Sequence, residues 1–99
     1  LALDRIERAL AQEPDNGFII DSRGWVLYQM GRYDEARAEL ERACAIVEDA
    51  VILEHLGDAY VALGQLEKAR AAYEKARRLD PKNKNLAKKL SRIPAPQGN

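Results

Sequence analysis

The segment MGRYDEARAELERACAI at 30–46 returns 33 residues later as LGQLEKARAAYEKARRL at 63–79. A period of that length in so short a chain predicts an all-α stack of helical units. Each unit buries its apolar face only against its neighbours, so no single closed core is needed. Such a stack offers a long exposed surface, which points to a binding scaffold and away from an enzyme.

Composition agrees with one small domain. The chain has 99 residues, 46% of them apolar and 32% charged, enough to bury a modest core and unlike collagen, a disulfide scaffold or a wholly disordered chain. No apolar run approaches the roughly 20 residues that cross a bilayer, and Val51-Ile52-Leu53 reads as part of a helix. Cys44 is the only cysteine, so no internal disulfide forms. The chain enters helical pattern directly from Leu1, with no initiator Met or leader-like segment. It is therefore expected to be a piece of a longer protein; a soluble protein of the cytoplasm or periplasm is expected from the lack of a membrane-length apolar run, with the compartment left open. The 16 basic and 16 acidic residues balance but are segregated, with a net −7 over 1–65 and a net +7 over 66–99. That asymmetry is open to two readings, a field that steers a charged partner or a solvated surface balanced elsewhere in a longer array.

Six helices are expected, over about 1–12, 17–30, 33–47, 50–63, 66–79 and 83–93. Leu3, Ile6 and Leu10 form a stripe at helical spacing in the first. Asp15 or Asn16 caps the second, whose inward residues are Ile20, Gly24, Leu27 and Met30. Asp34 and Glu35 suit the positive end of the third helix, which packs through Ala36, Leu40 and Ala43. Asp49 caps the fourth, with Leu53, Leu56, Gly57, Tyr60 and Leu63 inward. The fifth packs through Ala69, Tyr73 and Ala76. The last alternates Leu86, Leu90 and Ile93 with Lys84, Lys88, Lys89 and Arg92, as a capping helix would. Pro94, Pro96 and Gly98 predict a disordered tail over 94–99.

These residues resemble the tetratricopeptide repeat, a helix-turn-helix unit of about 34 residues. Gly24, Gly31, Tyr33, Ala36, Leu40 and Ala43 match one repeat; Gly57, Gly64, Leu66, Ala69, Tyr73, Ala76 and Pro81 match the next. Ala2, Ile6, Ala9 and Pro14 fit the second helix of an earlier repeat. The implied organisation is a domain over 1–93, with half a repeat at 1–16, repeats at 17–49 and 50–83, and a cap at 84–93. The sequence departs from the pattern at three places. Glu48 replaces the closing Pro. Arg23 stands where Leu is usual, either laying its stem over apolar surface or making a contact. Trp25 follows the helix glycine, while Ile20 takes the usual aromatic core position.

In this family the first helices of successive repeats line a concave groove for a peptide or a helix. Carried over by position, that groove comprises Phe18, Asp21, Trp25, Tyr28 and Gln29, then Val51, Glu54, Asp58, Val61 and Ala62, with Asn85, Lys88 and Arg92 at its end. Each set falls on one helical face. Some members clamp a partner's C-terminal carboxylate with Lys, Asn and Arg, whereas here Asp21, Glu54 and Asp58 occupy the groove. The expected ligand is therefore a protein or peptide with apolar groups for Trp25 and Tyr28 and basic groups for the carboxylates. As an alternative, Leu3, Ile6 and Leu10 could be covered by a second copy, giving a homo-oligomer. The basic C-terminal third is a weaker basis for binding anionic lipid or nucleic acid, because Tyr73 is its only aromatic and the chain as a whole is neutral. No catalytic, cofactor or metal set is evident. His55 is the sole histidine, Cys44 has no evident activating neighbour, and Gly31 and Gly64 are isolated turn glycines, not a phosphate loop.

Overall fold

The computed structural model describes residues 2–94. Leu1 and the segment 95–99, which holds nearly all of the expected tail, lie outside the described residues. The described residues form six helices: α1 (Ala2–Gln12), α2 (Gly17–Gln29), α3 (Tyr33–Ile46), α4 (Ala50–Ala62), α5 (Leu66–Leu79) and α6 (Lys84–Ser91). Each packs on the next, and α2 also meets α4. The result is an α-solenoid of tetratricopeptide-like helix pairs, 48 × 25 × 22 Å, in which helices consecutive in the chain are neighbours in space.

The helix boundaries follow from local chemistry. Asn16 caps α2, accepting from the backbone N–H of Phe18 at 3.0 Å and of Ile19 at 3.3 Å. Asp49 does the same for α4 through Val51 and Ile52, and Asn83 caps α6 through Asn85. The α2–α3 and α4–α5 turns are copies of one another. Gly31 (φ +79°) and Gly64 (φ +74°) sit in the left-handed region that admits glycine without strain. The following N–H groups reach back to the carbonyls of Leu27 and Tyr60, both at 2.9 Å. This is the Schellman closure of a helix end. It ends α2 at Gln29 and α4 at Ala62, one residue earlier than the sequence pattern suggests. Met30 consequently lies at the cap, 53% exposed, not inward. Likewise α3 stops at Ile46, and α6 covers only Lys84–Ser91 of the expected 83–93.

Small residues set the packing distance. Ala36, Ala43, Ala69 and Ala76 are fully buried, and between them stand Leu40, Leu56, Tyr60 and Tyr73. The main core runs from Leu27 through α3, α4 and α5 to Leu86 and Ile93; a smaller cluster joins Ile20, Ala43 and Ile52, with Leu10, Cys44 and Val47 against it. Burial of Ile52 and Ala72 goes beyond the single inward stripe expected for α4 and α5. The reason for α4 is its position: it packs against α2, α3 and α5, so a wide arc of its surface is covered. Leu63, expected inward, is half-buried beside the turn. At the other extreme α1 contains no fully buried residue, and Leu3 and Ile6 stay half-buried.

Candidate functional site

Stacking of the units brings α2, α4 and α6 side by side, and side chains on their shared face are joined across all three. His55 on α4 lies 2.8 Å, Nδ1 to Oδ1, from Asp21 on α2, and its ring stacks on Trp25 at 4.0 Å between centroids. Trp25 also stacks on Tyr28 at 4.7 Å, almost parallel, and Tyr28 meets Tyr33 edge-on. Further along, Lys89 on α6 donates to Glu54 Oε2 at 2.7 Å and to Asp58 Oδ2 at 3.1 Å. Asn83 donates to Glu54 Oε1 at 3.1 Å. The Tyr73 hydroxyl donates to Asp58 Oδ1 at 2.5 Å.

The three carboxylates expected to await a basic ligand are thus already engaged by the chain itself. Lys89 shows how firmly. Desolvation alone would lower its pKa, but the hydrogen bonds to Glu54 and Asp58 outweigh it, so the ammonium is held charged above its ordinary range. Its stabilising contribution is complete at neutral pH and is lost only as pH rises through that raised value. Tyr73 and Tyr60, driven first by burial and then by their bonds to Asp58 and Glu41, are pushed far above the usual phenol range and act as donors at any physiological pH.

What this face leaves open is apolar. Phe18 is 56% exposed, Val51 52% and Val61 42%, while Gln29 and Ala62 are also exposed and Trp25 and Tyr28 are half-buried in their stack. Phe18 and Val51 occupy equivalent first-turn positions of α2 and α4. Near the opposite end an open cleft of about 220 Å³ lies among Tyr28, Asp58, Val61, Leu66, Tyr73, Lys89, Arg92 and Ile93. Of the three residues expected at the groove end, Arg92 lines this cleft, whereas Asn85 and Lys88 are solvent-exposed.

His55, Lys89 and Asn83 belong to the face but are not among the groove residues expected from sequence, and Tyr73, expected as packing, reaches the face from α5 through its hydroxyl. A signal exists in retrospect: His55 is 34 residues after Asp21 and Lys89 is 35 after Glu54, close to one repeat, so a side chain one unit along is the natural partner. Arg23 resolves differently. Its guanidinium bridges Glu39 of α3 at 3.3 Å and Glu7 of α1 at 3.7 Å, fastening the opening helix to the first complete repeat. Among the described residues no cluster of three or more metal-ligating side chains occurs. No described helix is long and apolar enough to cross a membrane.

Burial pushes the Cys44 thiol up to about 11, with the nearby Asp21 charge adding to the effect. At pH 8 its thiolate fraction is roughly a hundredfold smaller than that of a thiol at the reference value of 9.0. Alkylation by iodoacetamide is expected to be correspondingly slow in the native protein and to accelerate in denaturant. Equal rates in the two states would contradict the burial argument.

Comparison with known proteins agrees with the geometry. The tetratricopeptide repeat family matches residues 19–50 and again 50–83. The Hsp70-Hsp90 organizing protein of Triticum aestivum is 36% identical over 100 residues, spanning 91% of this chain but only 17% of that protein. Among solved structures, the first TPR of Spaghetti (RPAP3) bound to the HSP90 peptide SRMEEVD superposes with a TM-score of 0.87 at 23% identity, covering 91% of this chain and 72% of that one. The first TPR domain of human RPAP3 gives 0.88 at 24%, covering 93% and 73%. A thermophilic TPR protein of Thermus thermophilus gives 0.82 at 30%, covering 91% and 46%.

Proposed function

The chain belongs to the tetratricopeptide repeat family, and on that premise we propose that it is a non-catalytic module binding an extended peptide or a helix of another protein along the shared face of α2, α4 and α6. The observation that carries this reading is the exposure of Phe18, Val51 and Val61 along a face whose carboxylates Asp21, Glu54 and Asp58 are already paired. Water gains little from hydrating those apolar groups, and the paired network beneath them is pre-organised, so a ligand covers them without ordering the site first. Trp25 and Tyr28 form a rigid ledge between the two exposed ends.

The test is a titration of isotope-labelled protein with short peptides selected against it. Amide shifts are expected on α2, α4 and α6, together with a change in emission from Trp25, the only tryptophan. Phe18→Ala with Val51→Ala should weaken binding about thirtyfold, since truncating exposed apolar anchors costs of order 1 kcal/mol each, about 2 kcal/mol together. Shifts confined to α3 and α5 would place binding on the opposite surface and defeat the proposal.

A second reading, self-association through the opening helix, draws on the half-buried state of Leu3 and Ile6. Light scattering at increasing concentration should then report a dimer that Leu3→Glu with Ile6→Glu abolishes. A strict monomer removes this reading and leaves the groove untouched.

A further inference from the structure

The cleft at the α6 end of the groove is more selective than the face as a whole. We propose that it is an anchor subsite taking one apolar side chain from a peptide in which the neighbouring residue is acidic. This rests on the groove reading above and adds the chemistry of the occupant.

The shape argument comes first. Val61 and Leu66 form exposed walls, at 42% and 38%, over a floor made by Tyr73 and Ile93, which are buried. About 220 Å³ of open space bounded mainly by such groups suits a single side chain and not a folded element. Tyr28 closes the α2 side, and the ring's stacking on Trp25 keeps that wall in place.

Charge then decides the flanking residue, and it reverses the sign expected from sequence. Among the described residues Asp58 is the only carboxylate lining the cleft, and both its oxygens are taken, Oδ1 by the Tyr73 hydroxyl and Oδ2 by Lys89. A cationic ligand group would have to displace Lys89 from its two carboxylates and leave that ammonium without them, which opposes binding. Arg92, by contrast, stands exposed at the rim and pairs with no carboxylate among the described residues. Lys84 and Lys88 on the same helix are likewise exposed, within a segment of net charge +7. Arg92 is thus the cation at the cleft that has no carboxylate partner among the described residues, so an acidic neighbour to the anchor gains attraction there with no internal pair broken.

The experiment uses random short peptides displayed between flexible spacers, so that none has a free C-terminus, panned against the whole chain. Enriched sequences are then made as C-terminally amidated peptides and titrated calorimetrically against the wild type, Val61→Lys and Arg92→Glu. Both substitutions are at exposed positions, and thermal unfolding checks that the fold persists. An apolar residue beside Asp or Glu is expected to dominate the enriched set. Val61→Lys should weaken binding about tenfold, and Arg92→Glu should exchange the acidic neighbour for a basic one. Enriched peptides with basic flanks, or binding indifferent to Val61→Lys but lost on altering Phe18 and Val51, overturn the subsite while leaving the groove. Binding that requires a free C-terminal carboxylate also overturns it. Absence of any enrichment removes both.

Discussion

Replacing Gly57 by Ala is expected to destabilise the protein by about 2 kcal/mol, lowering its melting temperature by about 8–16 °C. The direction is the reverse of the usual one. In an exposed helix interior, Ala is better than Gly by about 1 kcal/mol. Here a β-carbon at position 57 would lie 2.4, 2.6 and 2.9 Å from Cε1, Cδ1 and Cζ of Tyr73. The obstacle is the body of a ring that is 2% exposed and whose hydroxyl is bonded to Asp58, so it cannot swing aside without breaking that bond. Overpacking of this kind costs about 1–3 kcal/mol, and the lost hydrogen bond adds about 1 more, which outweighs the propensity gain. Denaturant titration followed by circular dichroism measures the difference. A Gly57→Ala variant as stable as the parent would show that α4 and α5 do not approach as closely as described.

Leu40→Ala is expected to cost about 3 kcal/mol, a large share of the stability of a domain this size. Leu40 is fully buried in the main core. The informative experiment pairs it with Gly24→Ala. A β-carbon at 24 would meet Leu40 Cγ at 2.8 Å and Cδ2 at 3.0 Å, so Gly24→Ala alone should also destabilise, by about 1–2 kcal/mol. In the double variant the added methyl enters space that Leu40 has vacated. The combined loss should therefore fall short of the sum by about 1 kcal/mol or more. Agreement with the sum within about 0.5 kcal/mol would mean that α2 and α3 are not coupled through this contact.

Much of the fold is legible in the residues because the information is local. Asn16 and Asp49 cap their helices through N–H groups two and three residues away, and Gly31 and Gly64 close theirs through backbone geometry confined to one turn. The 33-residue echo then implies stacking, since neither copy can bury its own apolar face. Met30 and Ile52 escape this reasoning for opposite reasons. Met30 follows the helix period but falls at the cap, where the chain turns away; Ile52 lies off the main stripe of α4 but is covered because that helix has neighbours on more than one side.

The groove divides along the same line. Periodicity by itself determined that 18, 21, 25 and 28 share a face, as do 51, 54, 58 and 61, and segregation of charge placed the cations at the C-terminal end. Only the tertiary structure decided which of those charges remain available. Lys89 reaches Glu54 and Asp58, and His55 reaches Asp21, because stacked units bring side chains about one repeat apart within hydrogen-bonding distance of each other. Electrostatic energy depends on those distances through space, to which a formal charge count is blind. A run that reads as acidic is therefore a floor whose carboxylates already hold hydrogen-bond partners from the chain itself, with apolar edges, and the arginine at its mouth has no carboxylate partner among the described residues.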